Sequence, residues 1–344
     1  MSENHTETIK RIKAERGSSL IIMGHHYQRD QVIQHTDLRG DSLELARQVP
    51  RLSAAQHIVF CGVTFMAETA AMLCAPGQKV LLPAPEAGCV MSDMAPWVVL
   101  DTVMRRLTAD DRRVIPLAYV NTSAAVKAVV ARHGGAVCTS ANAGVMLKWA
   151  LAQGDGVLFL PDKNLGMNTA DALGLPENKR AIIDVSGIDC RVDPAALRDK
   201  QLLLWPGLCV IHKRFKAEQI DEIRQRDPDA KIVVHPECPP AVVQKADASG
   251  STSFIIKFVT EAAPGSVVYV GTEINLVERL AKQFRGTKLV RPLTPSHCAN
   301  MAKTTEEVLA LTLLNLDDTP PVEVPSETAR DAVVSIERML DICR

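Results

Sequence analysis

Short runs of Leu, Ile and Val recur along the chain, and each is broken on its carboxyl side by small, turn-forming or polar residues. A run of four to six apolar residues bounded in this way reads as a strand buried on both faces. Residues 20–23 run into Gly24-His25-His26-Tyr27-Gln28, 57–60 pass through Gly62, and 79–82 end in Pro83-Ala84-Pro85 and a loop holding Ala87-Gly88-Cys89. Residues 113–117 lead to Tyr119-Val120-Asn121-Thr122, 136–138 to Thr139-Ser140, and 156–160 to Pro161-Asp162. Residues 202–205 stop at Pro206-Gly207, 232–235 at Pro236-Glu237, and 267–271 form one more strand. Helical patterns lie between them, over 6–16, 43–48, 66–73, 145–152, 216–226, 276–284, 305–316 and 326–343. Thr122 or Ser123 is placed to cap a helix that Gly134-Gly135 stops.

The recurring unit is strand, loop, helix. Its opening strands start near Leu20, Val114 and Leu202, a recurrence of roughly ninety residues that predicts an α/β protein of three similar three-layer α/β/α subdomains. These span 1–108, 109–190 and 191–299, with the C-terminal helices of 300–344 packing back on the first. Polar residues follow the strands and seldom interrupt them, so the three units are placed to face one shared centre.

Composition sharpens this picture. With 344 residues, 47% of them hydrophobic and only 4% aromatic, the chain can bury a large aliphatic core. A net charge of −1 gives no basic surplus for a nucleic-acid backbone or an anionic membrane. The amino end is polar and lacks a secretory h-region, and no apolar run approaches the roughly 18 residues of a membrane span, so a cytoplasmic protein is expected. The nine cysteines are odd in number and lack CxxC spacing, which argues against a disulfide framework. In the last helix Ala332, Val333, Ile336, Met339, Leu340 and Cys343 form one apolar stripe, which assigns Cys343 to packing.

Cys89, Cys209 and Cys298 stand apart from the other thiols. Each lies in a loop beside small or turn residues that let backbone approach a bulky group, whereas Cys61, Cys138 and Cys190 belong to apolar runs and Cys74 to a helix. Three dispersed thiolates suit Zn²⁺ with one open position, or an iron–sulfur cluster with one iron unligated by protein, and spacing does not choose between them. Around them recur polar residues after strands: His25 and Tyr27, Ser42, Tyr119 and Asn121, Ser140, His212, His235 and Glu237, Ser251 and Thr252. Singly, each is more often a cap or loop residue. Together they offer the directional donors that carboxylates or phosphate need. There is no GxGxxG after a strand, no GxxxxGK[ST] and no GxSxG, so dinucleotide, nucleoside-triphosphate and hydrolase readings lose their usual support.

The ordered segments GHHYQ, GDSLELAR, FCGVTFMAETA, AGCVMSDM, YVNTSA, CTSANA, FLPDKNLG, WPGLCVIHKRF, VVHPECP, GSTS, VGTEINLV and CANMAKTT closely resemble the quinolinate synthase family of bacterial NAD biosynthesis, from about residue 20 to residue 305. The resemblance implies a pseudo-threefold arrangement of the subdomains around a central active site. It also implies a [4Fe-4S] cluster, one per chain, held by Cys89, Cys209 and Cys298 with one open iron acting as Lewis acid. The implied reaction is a transferase-class condensation of iminoaspartate with dihydroxyacetone phosphate to quinolinate, phosphate and water. Functional coupling to the L-aspartate oxidase that supplies iminoaspartate is the partner the resemblance suggests. Its iminoaspartate-binding positions fall on His25, Ser42, Tyr119, Val120, Asn121, Ser140, His235, Pro236, Glu237 and Thr252, while Tyr27, His212 and Ser251 sit in matching motifs as further lining. On this basis Glu237, steered by His235, is the expected general base and Tyr27 a proton shuttle.

The chain departs from some relatives at Pro292 and Pro295, which stand where those carry an extra redox-sensitive cysteine pair. The pocket role at 25–26 falls to His25, two residues before Tyr27, with His26 the alternative. A radical enzyme of diphthamide synthesis, the nearest rival, needs a site for S-adenosylmethionine and a protein partner, and the small polar strand-end set suits a dicarboxylate better. A cluster-based sensor needs a nucleic-acid or partner module, and none is evident.

Overall fold

Buried aliphatic strands with polar carboxyl ends set the architecture. The computed structural model describes residues 4–187 and 190–344. The first sheet contains β1 (Leu20–His25), β2 (Leu38–Gly40), β3 (His57–Cys61) and β4 (Lys79–Leu81), in the order β2-β1-β3-β4. The second contains β5 (Val114–Tyr119), β6 (Ala136–Cys138), β7 (Gly156–Leu160), β8 (Arg180–Ile182) and β9 (Leu202–Leu204), ordered β6-β5-β7-β9-β8. The third has β10 (Lys231–Val234), β11 (Ala248–Ser249), β12 (Val267–Gly271) and β13 (Leu289–Pro292), ordered β11-β10-β12-β13. All pairings are parallel. Every residue of β3, β5, β7 and β9 is buried, as expected where helices cover both faces.

The first and third sheets repeat one order, second strand, first, third, fourth, and the second sheet matches it with β9 in the fourth place and β8 added at its edge. The connection reverses direction between first and third strands, and ligands bind outside the carboxyl ends at such a switch point. Helices relevant to this edge are α1 (His5–Arg16), α2 (Ser42–Gln48), α3 (Thr64–Leu73), α4 (Ala124–Arg132), α5 (Lys163–Ala172), α6 (Thr252–Glu261), α7 (Ile274–Gln283), α8 (Glu306–Leu314) and α9 (Ser326–Ile342). Side-chain caps fix where several begin: Asp41 closes a capping box with Glu44 on α2, and Ser123, Asp162, Ser251 and Glu273 cap α4, α5, α6 and α7.

One strand lies elsewhere than its sequence suggests. Leu202–Leu204, read as the opening strand of the third unit, pairs with β7 and β8 in the second sheet, and the third sheet opens at Lys231. A short run buried on both faces carries no mark of the sheet it enters, and the chain interposed around β8 disguised the spacing. β2, β8 and β11 leave no strand signal in the sequence, being strands of two or three residues at sheet edges with mixed composition. Of the two C-terminal helices, α8 lies against α1, where Leu309 and Leu313 join Ile9 and Ile12 in one apolar cluster. α9 instead packs on α4 and β6 of the second unit, with Arg338 donating to the Gly135 carbonyl. Among the described residues no helix is long and apolar enough to cross a membrane.

Lys127 of α4 is completely buried, donates to the Thr122 carbonyl and sits 5.6 Å from the Phe65 ring centroid. Burial pulls its pKa from 10.5 down to about 8, against the opposing pull of Glu68. The folded-state value lies below the unfolded one, so the penalty is full below pH 8 and is relieved as pH rises toward 10.5. Unfolding titrations with urea should show wild type gaining roughly 2 kcal/mol over Lys127→Met between pH 7 and pH 10. Parallel pH profiles for the two proteins would show that the ammonium carries no such penalty.

Candidate active site

Equivalent positions of the three sheets supply the site. At or just beyond the first strands stand His25 and Tyr27 (β1), Tyr119 and Asn121 (β5), and His235 and Glu237 (β10). Beyond the second strands come Ser42 (β2), Ser140 (β6) and Thr252 (β11). Beyond the strands in the fourth place of each sheet come Cys89 (β4), Cys209 (β9) and Cys298 (β13). All of these line one cavity of about 180 Å³.

Two histidines are held alike. The Tyr27 N–H donates to His25 Nδ1 (3.2 Å), and the Glu237 N–H donates to His235 Nδ1 (3.3 Å). Each ring must therefore carry its proton on Nε2, where it can serve a ligand as donor. Burial pushes both imidazoles down to about 3, so they are neutral dipoles throughout the physiological range. Asn121 Oδ1 and Thr252 Oγ1 are buried without a protein partner among the described residues. Buried polar atoms in that condition on a cavity wall are positioned to meet a ligand.

A continuous polar chain crosses the cavity wall. Tyr27 Oη lies 2.7 Å from Thr272 Oγ1, Thr272 Oγ1 lies 3.0 Å from His212 Nε2, and His212 Nδ1 lies 2.6 Å from Glu237 Oε2. One assignment satisfies every member: Tyr27 donates to Thr272, Thr272 to Nε2, and Nδ1–H to the carboxylate. The His235 ring stacks on His212 with centroids 4.5 Å apart. Burial alone would push the Glu237 carboxyl up, but His212, His235 and a bond from Tyr119 outweigh it and hold the group below the carboxylate range. Burial, then Glu237, keeps Tyr27 protonated well above its ordinary value.

The cysteines share a second pattern. Backbone N–H groups of Met91 and Ser92 point at the Cys89 sulfur, that of His212 at Cys209, and those of Asn300 and Met301 at Cys298. Burial pushes Cys89 up to about 12 and raises Cys209 and Cys298 as well. Half-buried thiols that each face N–H donors, gathered from three loops on one cavity, suit a cationic metal group that supplies the missing charge. The donor set thus fits an iron–sulfur cluster held by Cys89, Cys209 and Cys298. Cys209, His212 and Glu237 also bring one ligand atom each within 4.8 Å of one another, a trio of the kind that binds a single divalent ion.

Buried carboxylates hold two of the cysteine loops. Asp162 Oδ2 accepts the Cys209 N–H (2.9 Å) while Oδ1 accepts the Leu165 N–H at the start of α5 (2.9 Å). Glu273 Oε1 accepts the Cys298 N–H (3.3 Å) while Oε2 accepts the Asn275 N–H in α7 (2.7 Å). Gly207 allows the first arrangement, since a Cβ there would lie 2.6 Å from the Pro161 carbonyl.

Three of the residues expected in the pocket stand outside its lining. Val120 borders a smaller void beside Phe65 and Ser42, the Pro236 carbonyl accepts from Asn168, and Ser251 caps α6 through the Phe254 N–H (3.3 Å). His26 also stays outside and faces Glu44 at 3.8 Å, whereas His25 lines the cavity. Thr272, Asp162 and Glu273 are not among the candidate site residues drawn from the sequence. The strand-end signal would have found all three, for they follow β12 and β7. Arg214, half a turn beyond His212, is the single Lys or Arg on the lining among the described residues.

Comparison with known proteins gives a consistent match. The family profile NadA, described as Quinolinate synthetase A protein, covers residues 7–341. A protein of Bacillus pumilus named quinolinate synthase is 44% identical over 337 residues, 96% of this chain and 91% of its own length. Namesakes from Corynebacterium glutamicum (42% over 345 residues, 97% and 86%) and Bacillus subtilis (40% over 349 residues, 99% and 94%) are similar along nearly the whole chain.

Replacing Asp162 with alanine strands two N–H donors in the dry interior. Asp162→Ala should cost about 2–4 kcal/mol of unfolding free energy, measured by urea titration. A loss under about 1 kcal/mol would show that neither the cap nor the Cys209 bond matters to stability.

Proposed function

The chain belongs to the quinolinate synthetase A family of NAD biosynthesis, and from that premise we propose that it condenses iminoaspartate with dihydroxyacetone phosphate in the cytoplasm. The balance is one quinolinate, one phosphate and two waters, a transferase-class reaction without net oxidation. An L-aspartate oxidase is the enzyme class that would supply the imine. The observation that carries the reading is the chain Tyr27–Thr272–His212–Glu237 on the same cavity as the three thiols.

Cys89, Cys209 and Cys298 would hold a [4Fe-4S] cluster. When bound, it supplies an iron open to substrate, a Lewis acid toward an imine, carboxylate or departing hydroxyl. The protein's own residues do the rest. Nε2–H of His25 and His235, the hydroxyls of Ser42, Ser140 and Thr252, and the Asn121 amide hold the two carboxylates of the diacid at separated points. Glu237, kept ionised by its neighbours, removes the carbon-bound proton needed for tautomerisation. Tyr27 remains a phenol and delivers a proton to the departing hydroxyl. Arg214 at the mouth is the natural counter-charge for the triose phosphate.

A second reading follows from the Cys209, His212 and Glu237 trio, which would bind one zinc ion. Metal and sulfide analysis of anaerobically purified protein separates the two. The first reading expects iron and acid-labile sulfide, lost together in Cys209→Ser; zinc without sulfide would overturn it. In Glu237→Gln, iron content should match wild type while quinolinate formation falls about 10²–10⁴-fold. Near-normal turnover there would remove Glu237 as the base. Arg214→Ala should raise KM for dihydroxyacetone phosphate about tenfold or more and leave that for iminoaspartate within about twofold; equal effects on both would take the phosphate away from Arg214.

A further inference from the structure

Two of the three seams between units carry the same device. Counting from the helix-capping carboxylates, Asp162 and Glu273, the residues two positions on are Asn164 and Asn275, and those six positions on are Asn168 and Arg279. Asn164 donates to the Glu237 carbonyl (3.2 Å), and Asn275 donates to the Tyr27 carbonyl (3.1 Å). Asn168 donates to the carbonyls on either side of Glu237, those of Pro236 and Cys238 (both 2.8 Å). Arg279 donates to the carbonyls on either side of Tyr27, those of His26 and Gln28, and pairs with Asp30 at 2.8 Å. Tyr27 and Glu237 occupy equivalent places after their own first strands, so the match extends to the acceptors.

We infer that α5 and α7 are quasi-equivalent braces, and that Asn168 and Arg279 are positioning residues, each setting the loop that carries one member of the Tyr27–Glu237 pair across a seam. The roles of that pair rest on the proposed reaction; the brace itself rests on geometry alone. At its amino end each brace also grips a cysteine of its own sheet, through Asp162 on Cys209 and Glu273 on Cys298. One rigid helix thus sets the distance between a thiol and a proton-transfer group. The remaining seam lacks the device: the corresponding residues of α3 and its cap are Val63, Phe65 and Thr69, and a small apolar void lies beside them. An arrangement required only for stability would have no reason to be confined to the seams that carry Tyr27 and Glu237.

The test combines exchange and kinetics on anaerobically prepared holoenzyme. Arg279→Ala should speed amide deuterium exchange about tenfold in residues 25–30 and leave 235–239 unchanged, and Asn168→Ala should do the reverse. Asn168→Asp, which keeps volume but turns a donor into an acceptor, should behave like Asn168→Ala, and Arg279→Lys should restore part of the loss. Iron content should equal wild type. kcat should fall about 10–100-fold with KM within about threefold, because a displacement near 1 Å has that effect on chemistry. The Arg279→Ala loss should nearly vanish in a Tyr27→Phe background, and the Asn168→Ala loss in Glu237→Gln. Exchange raised in both loops alike or in neither, or losses that multiply fully in the double variants, would overturn the inference. The exchange arm needs no substrate, so a failed brace and a mistaken reaction give different results.

Discussion

A buried carboxylate constrains this molecule more than any other feature. Glu237 is 3% exposed, and His212, 1% exposed, is its closest partner at 2.6 Å. Removing one partner of such a pair typically costs about 3–5 kcal/mol, because the other is left uncompensated. His212 is bound at both ring nitrogens and stacked on His235, so its orientation is over-determined. Satisfying this group demands that the ends of β10 and β12, the Cys209 loop and the end of β5 meet within hydrogen-bond tolerance. Three separate sheets reach that tolerance only if their seams are fixed by more than apolar contact.

The seams answer this with side-chain amides and a guanidinium placed on backbone carbonyls. Carbonyls are acceptors that cannot rotate away or ionise, so bonds to them fix chain path instead of trading one side-chain conformer for another. Arg279 and Asn168 each bridge two carbonyls that flank the same residue, which prevents that residue from twisting about its own axis. The seam between the first and second units solves a different problem. There Lys127 donates to the Thr122 carbonyl and Glu68 accepts the Ala124 N–H at 2.9 Å, so the loop after β5 is held from its far end while Phe65 and Met66 face the cavity. The repetition of the brace holds at the seams that carry Tyr27 and Glu237 and is absent where the cavity wall is apolar.

Much of this was legible in the chain, for identifiable reasons. Strand runs such as 156–160 and 267–271 are continuous and end in turn residues, and they are β7 and β12 to the residue. Polar residues after strands marked the cavity because loops leave a parallel sheet there, and His25, Ser42, Tyr119, Ser140, Glu237 and Thr252 all reach it. The sheet that receives β9 was not legible, since three buried leucines fit any of the three. Nor were Asn164, Asn168 and Arg279: each sits inside a helix, where an amide or guanidinium reads as solvated surface, and its partner lies on another unit. Pairings across a seam leave no periodicity in the sequence.

The polarity of the cavity follows from how its donors were made. With His25 and His235 near 3, neither imidazole becomes a cation at any pH the folded protein is expected to meet, and each presents a single oriented N–H. Serine, threonine, tyrosine and asparagine add dipoles and no charge, and Arg214 stands at the exposed mouth. On the proposed reaction, a diacid entering this site would exchange water dipoles for fixed protein dipoles without meeting a buried side-chain cation. Neutral donors thus make up most of the polar wall, with Arg214 the one guanidinium among the described lining residues.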